Sequence, residues 1–353
     1  MSLAEGTEVT ERKLTVDGGQ LGDRVAEWEK VEIVNEHGEI VEAQAPVIVS
    51  VSRSTDIPAF YSDWFIKRLE KGFVKWINPF NGVPLYVSFN KARLFVFWSK
   101  NPKPMLKHLD TLDAMGLNYY FQFTLNDYDA EHYEPAVPCV KDRIDAFIRL
   151  SKRLGRDRVI WRFDPLLLTN KLSVKDLLIK VENIGNKIAA FTSRLVFSFA
   201  DIDMYGKVGR NLEKAGIAVR EFSVDEMNTF AQGLAVLNHS WKLSLGTCAE
   251  QLDLASYGIE HNRCIDDRLI IKCFERDAAL MHFCGHDTDI QHDLPGIPAA
   301  TRKPKNIKDT GQRVACGCIK SKDIGAYNTC PHCCVYCYAN ATPKTALANL
   351  HFS

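Results

Sequence analysis

Six of the eleven cysteines fall within 22 residues near the C-terminus, as Cys316-Gly-Cys318 and Cys330-Pro-His-Cys333-Cys334-Val-Tyr336-Cys337. Thiolates are soft ligands that suit zinc and iron–sulfur centres, and close spacing lets one short loop wrap several of them around a metal. The total is odd, and the first thirty residues are acidic and polar instead of basic, apolar and then small. A disulfide framework is therefore the weaker reading, metal is the stronger one, and a cytoplasmic location is expected.

Two ligand sets compete. Cys316, Cys318, Cys330 and Cys333, or Cys334 and Cys337 in place of the last pair, would close a four-thiolate tetrahedral zinc site. Alternatively, Cys330, Cys334 and Cys337 form C-x3-C-x2-C, with the aromatic Tyr336 before the last sulfur. Outside this loop, Cys248 and Cys264 stand sixteen residues apart and, with Cys316 and Cys318, make a second candidate quartet. It would hold either a fully ligated second iron–sulfur cluster or a zinc that staples the tail.

The elements that must position these residues follow a clear rhythm. The 353 residues are 46% hydrophobic and 25% charged, which excludes disorder and fibre and supports a real core. Strand-like apolar runs at 47–53, 93–99, 118–126, 158–164, 194–200 and 241–247 alternate with helix-period segments near 61–71, 103–115, 141–154, 173–188, 205–215 and 224–237. Such alternation predicts βαβ crossovers and a parallel sheet, here an open barrel or a doubly wound sheet of six units. Residues 72–90 read as an inserted hairpin. Residues 264–283 read as one amphipathic helix and 285–315 as a surface linker. Three regions result: an acidic extension over 1–45 with a short hairpin turned at Asn35 to Gly38, a βα unit over 46–263, and a C-terminal region over 264–353 that carries the cysteines.

Several strands are polar on one side toward their C-terminal ends, notably at Ser50, Ser52, Gln122, Thr124, Asn126, Arg162, Asp164 and Ser198. In a βα barrel that end holds the active site, so these residues are expected to converge on one pocket. Ser52 to Asp56 at the end of the first strand marks Arg53 and Asp56, with Asn126, as candidates to touch substrate.

Charge says less. Lys+Arg and Asp+Glu both total 44, yet residues 1–46 carry net −7 and 301–353 net +6. With no apolar run of about 18 residues, no membrane span is expected. The basic tail keeps open an alternative of another class, a zinc-stapled barrel that binds nucleic acid or a protein partner.

The motif Cys330-x3-Cys334-x-Tyr336-Cys337 resembles that of radical S-adenosylmethionine enzymes. The segments VFWSKNPKPMLKHL (96–109), FQFTLND (121–127) and WRFDPLL (161–167) are similar to the spore photoproduct lyase-like branch. From about residue 46 the chain resembles the bacterial family called domain of unknown function 1848, most closely in CGCIKSKDIGAYNTCPHCCVYCYAN (316–340).

The resemblance implies a partial six-unit TIM-like βα barrel whose mouth is closed by the cysteine-rich loop. It implies that Cys330, Cys334 and Cys337 hold three irons of a 4Fe–4S cluster, leaving the fourth iron to S-adenosylmethionine. The cofactor would be cleaved reductively to a 5′-deoxyadenosyl radical, with electrons from a flavodoxin- or ferredoxin-type donor. It places Tyr336 against the adenine, Lys100 near the amino-group site, and Arg162 on the carboxylate. Asp164 would bind ribose or hold Arg162, and Gln122 and Ser198 would complete the pocket. In those enzymes the cysteine loop follows the first strand, whereas here it lies at the other end of the chain, an arrangement that resembles a circular permutation.

Overall fold

The computed structural model describes residues 28–79, 81–286, 307–313 and 315–351. It opens with an antiparallel hairpin, β1 (Lys30–Val34) and β2 (Ile40–Gln44). The turn is where expected: Asn35 Oδ1 accepts from the backbone N–H groups of His37 and Glu39, and Gly38 supplies the positive φ. β3 (Ile48–Val51) begins the main sheet, followed by α1 (Ile57–Phe60) and α2 (Ser62–Lys71). The expected inserted hairpin is β4 (Phe73–Ile77) with β5 (Pro84–Ser88).

Strand and helix then alternate: β6 (Leu94–Ser99), α3 (Leu109–Ala114), β7 (Asn118–Thr124), α4 (Val140–Leu154) and β8 (Val159–Leu166). The short β9 (Leu168–Thr169) precedes α5 (Val174–Ile188), β10 (Arg194–Phe199), α6 (Gly206–Lys214), β11 (Val219–Arg220), α7 (Val224–Trp241) and β12 (Ser244–Thr247). The C-terminal region supplies β13 (Ile259–His261), α8 (Asp267–Phe274), α9 (Ala278–Phe283), β14 (Lys322–Asp323) and α10 (Pro343–Ala348).

All six strands of the sequence rhythm lie in one sheet of eight, ordered β13-β12-β10-β8-β7-β6-β3-β14, and every pairing in it is parallel. Among the described residues the sheet is open, with β13 and β14 as its two edges. The two hairpins join into a second, four-stranded sheet, β1-β2-β5-β4, through a parallel contact between β2 and β5. Residues 264–283 are two helices instead of the one expected. The break falls at Asp277, which caps α9 by accepting from Leu280 N and is drawn aside by Arg93 and Asn118. Part of the expected linker, 287–306 and 314, lies outside the described residues, as does most of the acidic extension.

Alternation along the strands separates two cores. On one face Val49, Phe95, Phe97, Phe121, Phe123, Trp161, Phe163 and Phe197 pack under the crossover helices. On the other, Ile48, Leu94, Val96, Tyr120, Ile160 and Val196 are covered by Ile265, Ile270, Phe274, Leu280 and Ile319. The C-terminal region therefore folds back across the sheet. Farther along this second face the same register brings Ser50, Trp98, Gln122, Arg162 and Ser198 to the C-terminal ends of their strands, so apolar packing gives way to polar side chains there. Among the described residues no helix is long and apolar enough to cross a membrane.

The helical cover is tight where α5 meets α7. A Cβ on Gly185 would stand 2.3 Å from the Trp241 ring. Ala is the better helix former by about 1 kcal/mol, so the sign of Gly185→Ala is decided by packing. We expect a loss of about 1–3 kcal/mol in urea unfolding; an unchanged or higher midpoint would show that this contact does not limit the helix pair.

Candidate functional site

The cysteine loop follows directly on β14. Lys322 pairs with Val49 and Asp323 with Ser50, and Asp323 Oδ2 accepts from Ser50 Oγ (2.8 Å) and Arg53 N (2.9 Å). Gly325 lets the chain turn against β3, because a Cβ there would lie 1.7 Å from Ser52 Oγ. The loop then crosses the strand ends. Thr55 Oγ1 donates to Ala326 O (2.6 Å), Tyr61 OH to Thr329 O (2.6 Å), and Trp76 Nε1 to Gly325 O (2.9 Å). On its far side Val335 N donates to Tyr133 O, and Asn211 Nδ2 to Cys337 O.

Two buried carboxylates anchor the loop. The first is Asp56, which caps α1 through Ala59 N and also accepts from Ser99 Oγ (2.7 Å) and Lys100 N (2.7 Å). Its Oδ2 lies 2.7 Å from Nε2 of His332, a residue of the cysteine motif that is 2% exposed. The second is Glu134, on the loop between β7 and α4. It takes Lys100 Nζ at 2.6 Å, Arg143 Nη1 at 3.3 Å, Asn126 Nδ2 at 3.1 Å, and the hydroxyl of Tyr336. Lys100 and Asn126 also reach that hydroxyl, at 3.0 and 3.1 Å. Burial alone would raise the Glu134 carboxyl, but Lys100 and Arg143, with hydrogen bonds from Lys100 and Tyr336, hold it down at about 2. For Lys100, burial works against the charge and Glu134 overrides it, leaving the ammonium firmly protonated.

The expected pocket residues are thus largely assembled, in two adjoining groups. Lys100, Asn126 and Tyr336 meet at Glu134. Gln122, Arg162, Asp164 and Ser198 form the second group: Arg162 is ion-paired with Asp164, Ser198 donates to Asp164, and Gln122 Oε1 lies 3.3 Å from Arg162 Nη1. Asn126 joins the groups, with Oδ1 accepting from Asp164 N at 2.9 Å. Arg53 stands apart, stacked 5.0 Å from the centre of the Trp98 ring, whose other neighbour is Arg162 at 5.2 Å.

Asp56, Asn126 and Gln122 each spend their polar atoms within the protein, with Gln122 Nε2 donating to Cys264 O. Sequence reasoning passed over Glu134, Arg143 and His332. The signal for His332 was its place inside the motif; Glu134 lies in an irregular loop, where periodicity has nothing to say.

The thiols form two neighbourhoods. Cys330, Cys334 and Cys337 lie close enough on the loop to feel one another's charge. Burial pushes Cys330 up to about 12 and Cys334 well above the ordinary thiol range, with Lys100 opposing the latter. Asn340 ties this loop together, its Nδ2 donating to Cys330 O (2.7 Å) and its N to Cys337 Sγ (3.3 Å), while its Oδ1 is buried without a partner. Cys248, Cys264, Cys316 and Cys318 gather separately behind Arg162. Among the described residues no group of three or more His, Cys, Asp and Glu side chains stands so that it could hold a metal ion without rearrangement.

Fold and site together define an α/β protein with an open parallel sheet whose edge strand launches a buried cysteine loop over the strand ends. The family model described as "Domain of unknown function (DUF1848)" matches residues 48–339, and the chain belongs to that family. No curated protein and no solved structure gives a significant match.

Glu134 is one of the two carboxylates that hold the docked loop. Its pKa falls from an ordinary 4.5 to about 2 on folding, so its contribution is complete above pH 4.5 and lost as pH drops toward 2. Glu134→Gln leaves Lys100 and Arg143 buried without their anion, and we expect a loss of about 3–5 kcal/mol at pH 7. That loss should shrink over the same acid window. A variant whose deficit is equal at pH 7 and pH 3 would show that the carboxylate charge does not hold the loop.

Proposed function

We propose that this chain is a radical S-adenosylmethionine enzyme built on a permuted partial βα barrel. The observation that carries the reading is the place of β14. It is parallel to β3 and next to it, so the cysteine loop leaves the C-terminal end of a sheet strand that stands immediately before the first strand of the rhythm. In spatial order the loop follows the first strand, although in sequence it comes last. That is the order which a circular permutation of such an enzyme requires.

Cys330, Cys334 and Cys337 would hold the cluster. Their donor set fits: three thiols on one loop, in a motif that offers three ligands to four irons. Held there, the cluster would supply the electron for reductive cleavage of S-adenosylmethionine and so initiate hydrogen abstraction from the substrate.

The chain's own residues have separable tasks. Glu134 and Asp56 clamp the loop from opposite sides, through Tyr336 and His332. Asn340 Oδ1, buried and unpartnered beside Cys330 and Cys337, is an acceptor suited to the cofactor's amino group. Tyr336 directs its hydroxyl away to Glu134, which leaves its backbone to meet the adenine. Trp98, Arg162, Asp164 and Ser198 form the polar wall on which cofactor and substrate would rest. The cover by α8, α9 and residues 316–319 excludes water from the sheet behind it.

Anaerobically purified protein should carry about four irons per chain and, on reduction with S-adenosylmethionine, release 5′-deoxyadenosine. Replacing Cys330, Cys334 and Cys337 by Ala should abolish both. Zinc without iron in the wild-type chain, with no 5′-deoxyadenosine formed, would instead favour a zinc-stapled binding module.

A further inference from the structure

We propose that Cys248, Cys264, Cys316 and Cys318 form a separate mononuclear metal site that binds one zinc ion through four thiolates. The four come from three stretches of chain: Cys248 just beyond β12, Cys264 between β13 and α8, and Cys316 and Cys318 ahead of β14. The fold brings them into one chain of contacts. Cys264, Cys316 and Cys318 lie in one buried cluster with Cys248 packed against it; Cys248 Sγ is 3.4 Å from Cys264 Sγ, and Cys318 Sγ is 3.4 Å from the backbone N of Ile265, the residue after Cys264.

The separation of the Cys248 and Cys264 sulfurs favours a single ion over a cluster. Four sulfurs at 2.3 Å from a tetrahedral zinc stand about 3.8 Å apart, close to the separation of Cys248 and Cys264. A cubane would hold its thiolates on four different irons and spread them farther. Among the described residues the four sulfurs do not already surround one point, so binding would require the cysteine side chains to turn to other rotamers.

The surroundings are those of thiolates. Cys264 Sγ receives Arg162 Nη1 at 3.0 Å and Asn262 Nδ2 at 3.3 Å, and Cys318 Sγ receives Ile265 N at 3.4 Å. Neutral thiols are weak acceptors, whereas N–H groups directed at sulfur are a regular second shell of thiolate centres. A zinc tetrathiolate carries net charge −2 and needs cations in a site closed to water. Arg162 and Arg53 supply them, both beside the Trp98 ring and each also paired with an aspartate, and Arg53 keeps its buried Nη2 without a partner.

The position assigns the ion a task. β13 and β14 are the open edges of the sheet, and the segments that follow the one and precede the other meet where Ile319 N donates to Ile265 O at 3.0 Å. A zinc between Cys264 and Cys318 ties the two edges and fixes the strand that launches the cysteine loop.

The site is independent of what the loop cysteines hold, and the test keeps the two apart. The full-length variant with Cys330, Cys334 and Cys337 replaced by Ala is purified without oxygen, and its metals are counted. About one zinc and no iron per chain is expected, and Cys264→Ala with Cys318→Ala in that background should lose the zinc, while Cys273→Ala should keep it. Less than a tenth of an equivalent of zinc in the triple variant, or about four irons, overturns the proposal. Should the Cys264/Cys318 variant fail to fold, the triple variant is stripped by chelator and reloaded with Co2+. Intense thiolate-to-cobalt charge transfer, with four thiols newly protected from alkylation, supports the site; its absence refutes it. Failure of the radical reading would appear only in the wild-type chain, as missing iron and missing 5′-deoxyadenosine.

Discussion

Two residues of parallel ladder, Lys322 and Asp323 against Val49 and Ser50, determine where the whole C-terminal region lies. They are a slight attachment by themselves. What secures them is charge: Asp323 accepts from the Ser50 hydroxyl and the Arg53 amide, and its carboxylate faces the Arg53 guanidinium at 3.8 Å. From this strand the following residues run across the strand ends. Every anchor described for the cysteine loop presupposes it.

Beyond that attachment the loop is held mainly by buried ionic and hydrogen-bonded groups. Tyr336 and His332 are both under 9% exposed, and each ends on a carboxylate that is itself saturated with donors. Buried polar groups of this kind add little net stability but penalise any other arrangement, because a displaced loop would take the Tyr336 hydroxyl and the His332 ring away from their carboxylates. The loop is therefore specified more by what its misplacement would leave unpaired than by the apolar surface it buries.

Much of the fold was legible in the chain's pattern, since six apolar runs alternating with helical periods have few other solutions. β13 and β14 were not legible. Ile259–His261 and Lys322–Asp323 are three and two residues long and largely polar, and they become strands because a sheet edge is available to pair with them. The break at Asp277 was hidden for a related reason: the apolar stripe continues through it, and the competing partners, Arg93 and Asn118, come from distant strands. At the site, Gln122, Asn126, Arg162, Asp164 and Ser198 were found by their common position at strand ends and Lys100 through the family resemblance, whereas their partners could not be. The pairing of Asn126 and Lys100 with Glu134 depends on the course of an irregular loop. Family membership, by contrast, rests on the extent of the match over residues 48–339.

The small sheet has a consequence for the whole molecule. β2 covers the edge of β5 that β4 leaves free, so residues 30–44 act as a guard strand pair for the insertion as well as a feature of the amino-terminal region. β4 in turn reaches the cysteine loop, through Trp76 to Gly325 and through Lys322, whose ammonium sits 3.6 Å from the Trp76 ring centre. A chain lacking residues 1–45 would gain a sticky edge on β5 and loosen the floor beneath β14, so damage at the amino-terminal hairpin would be felt in the seating of the cysteine loop.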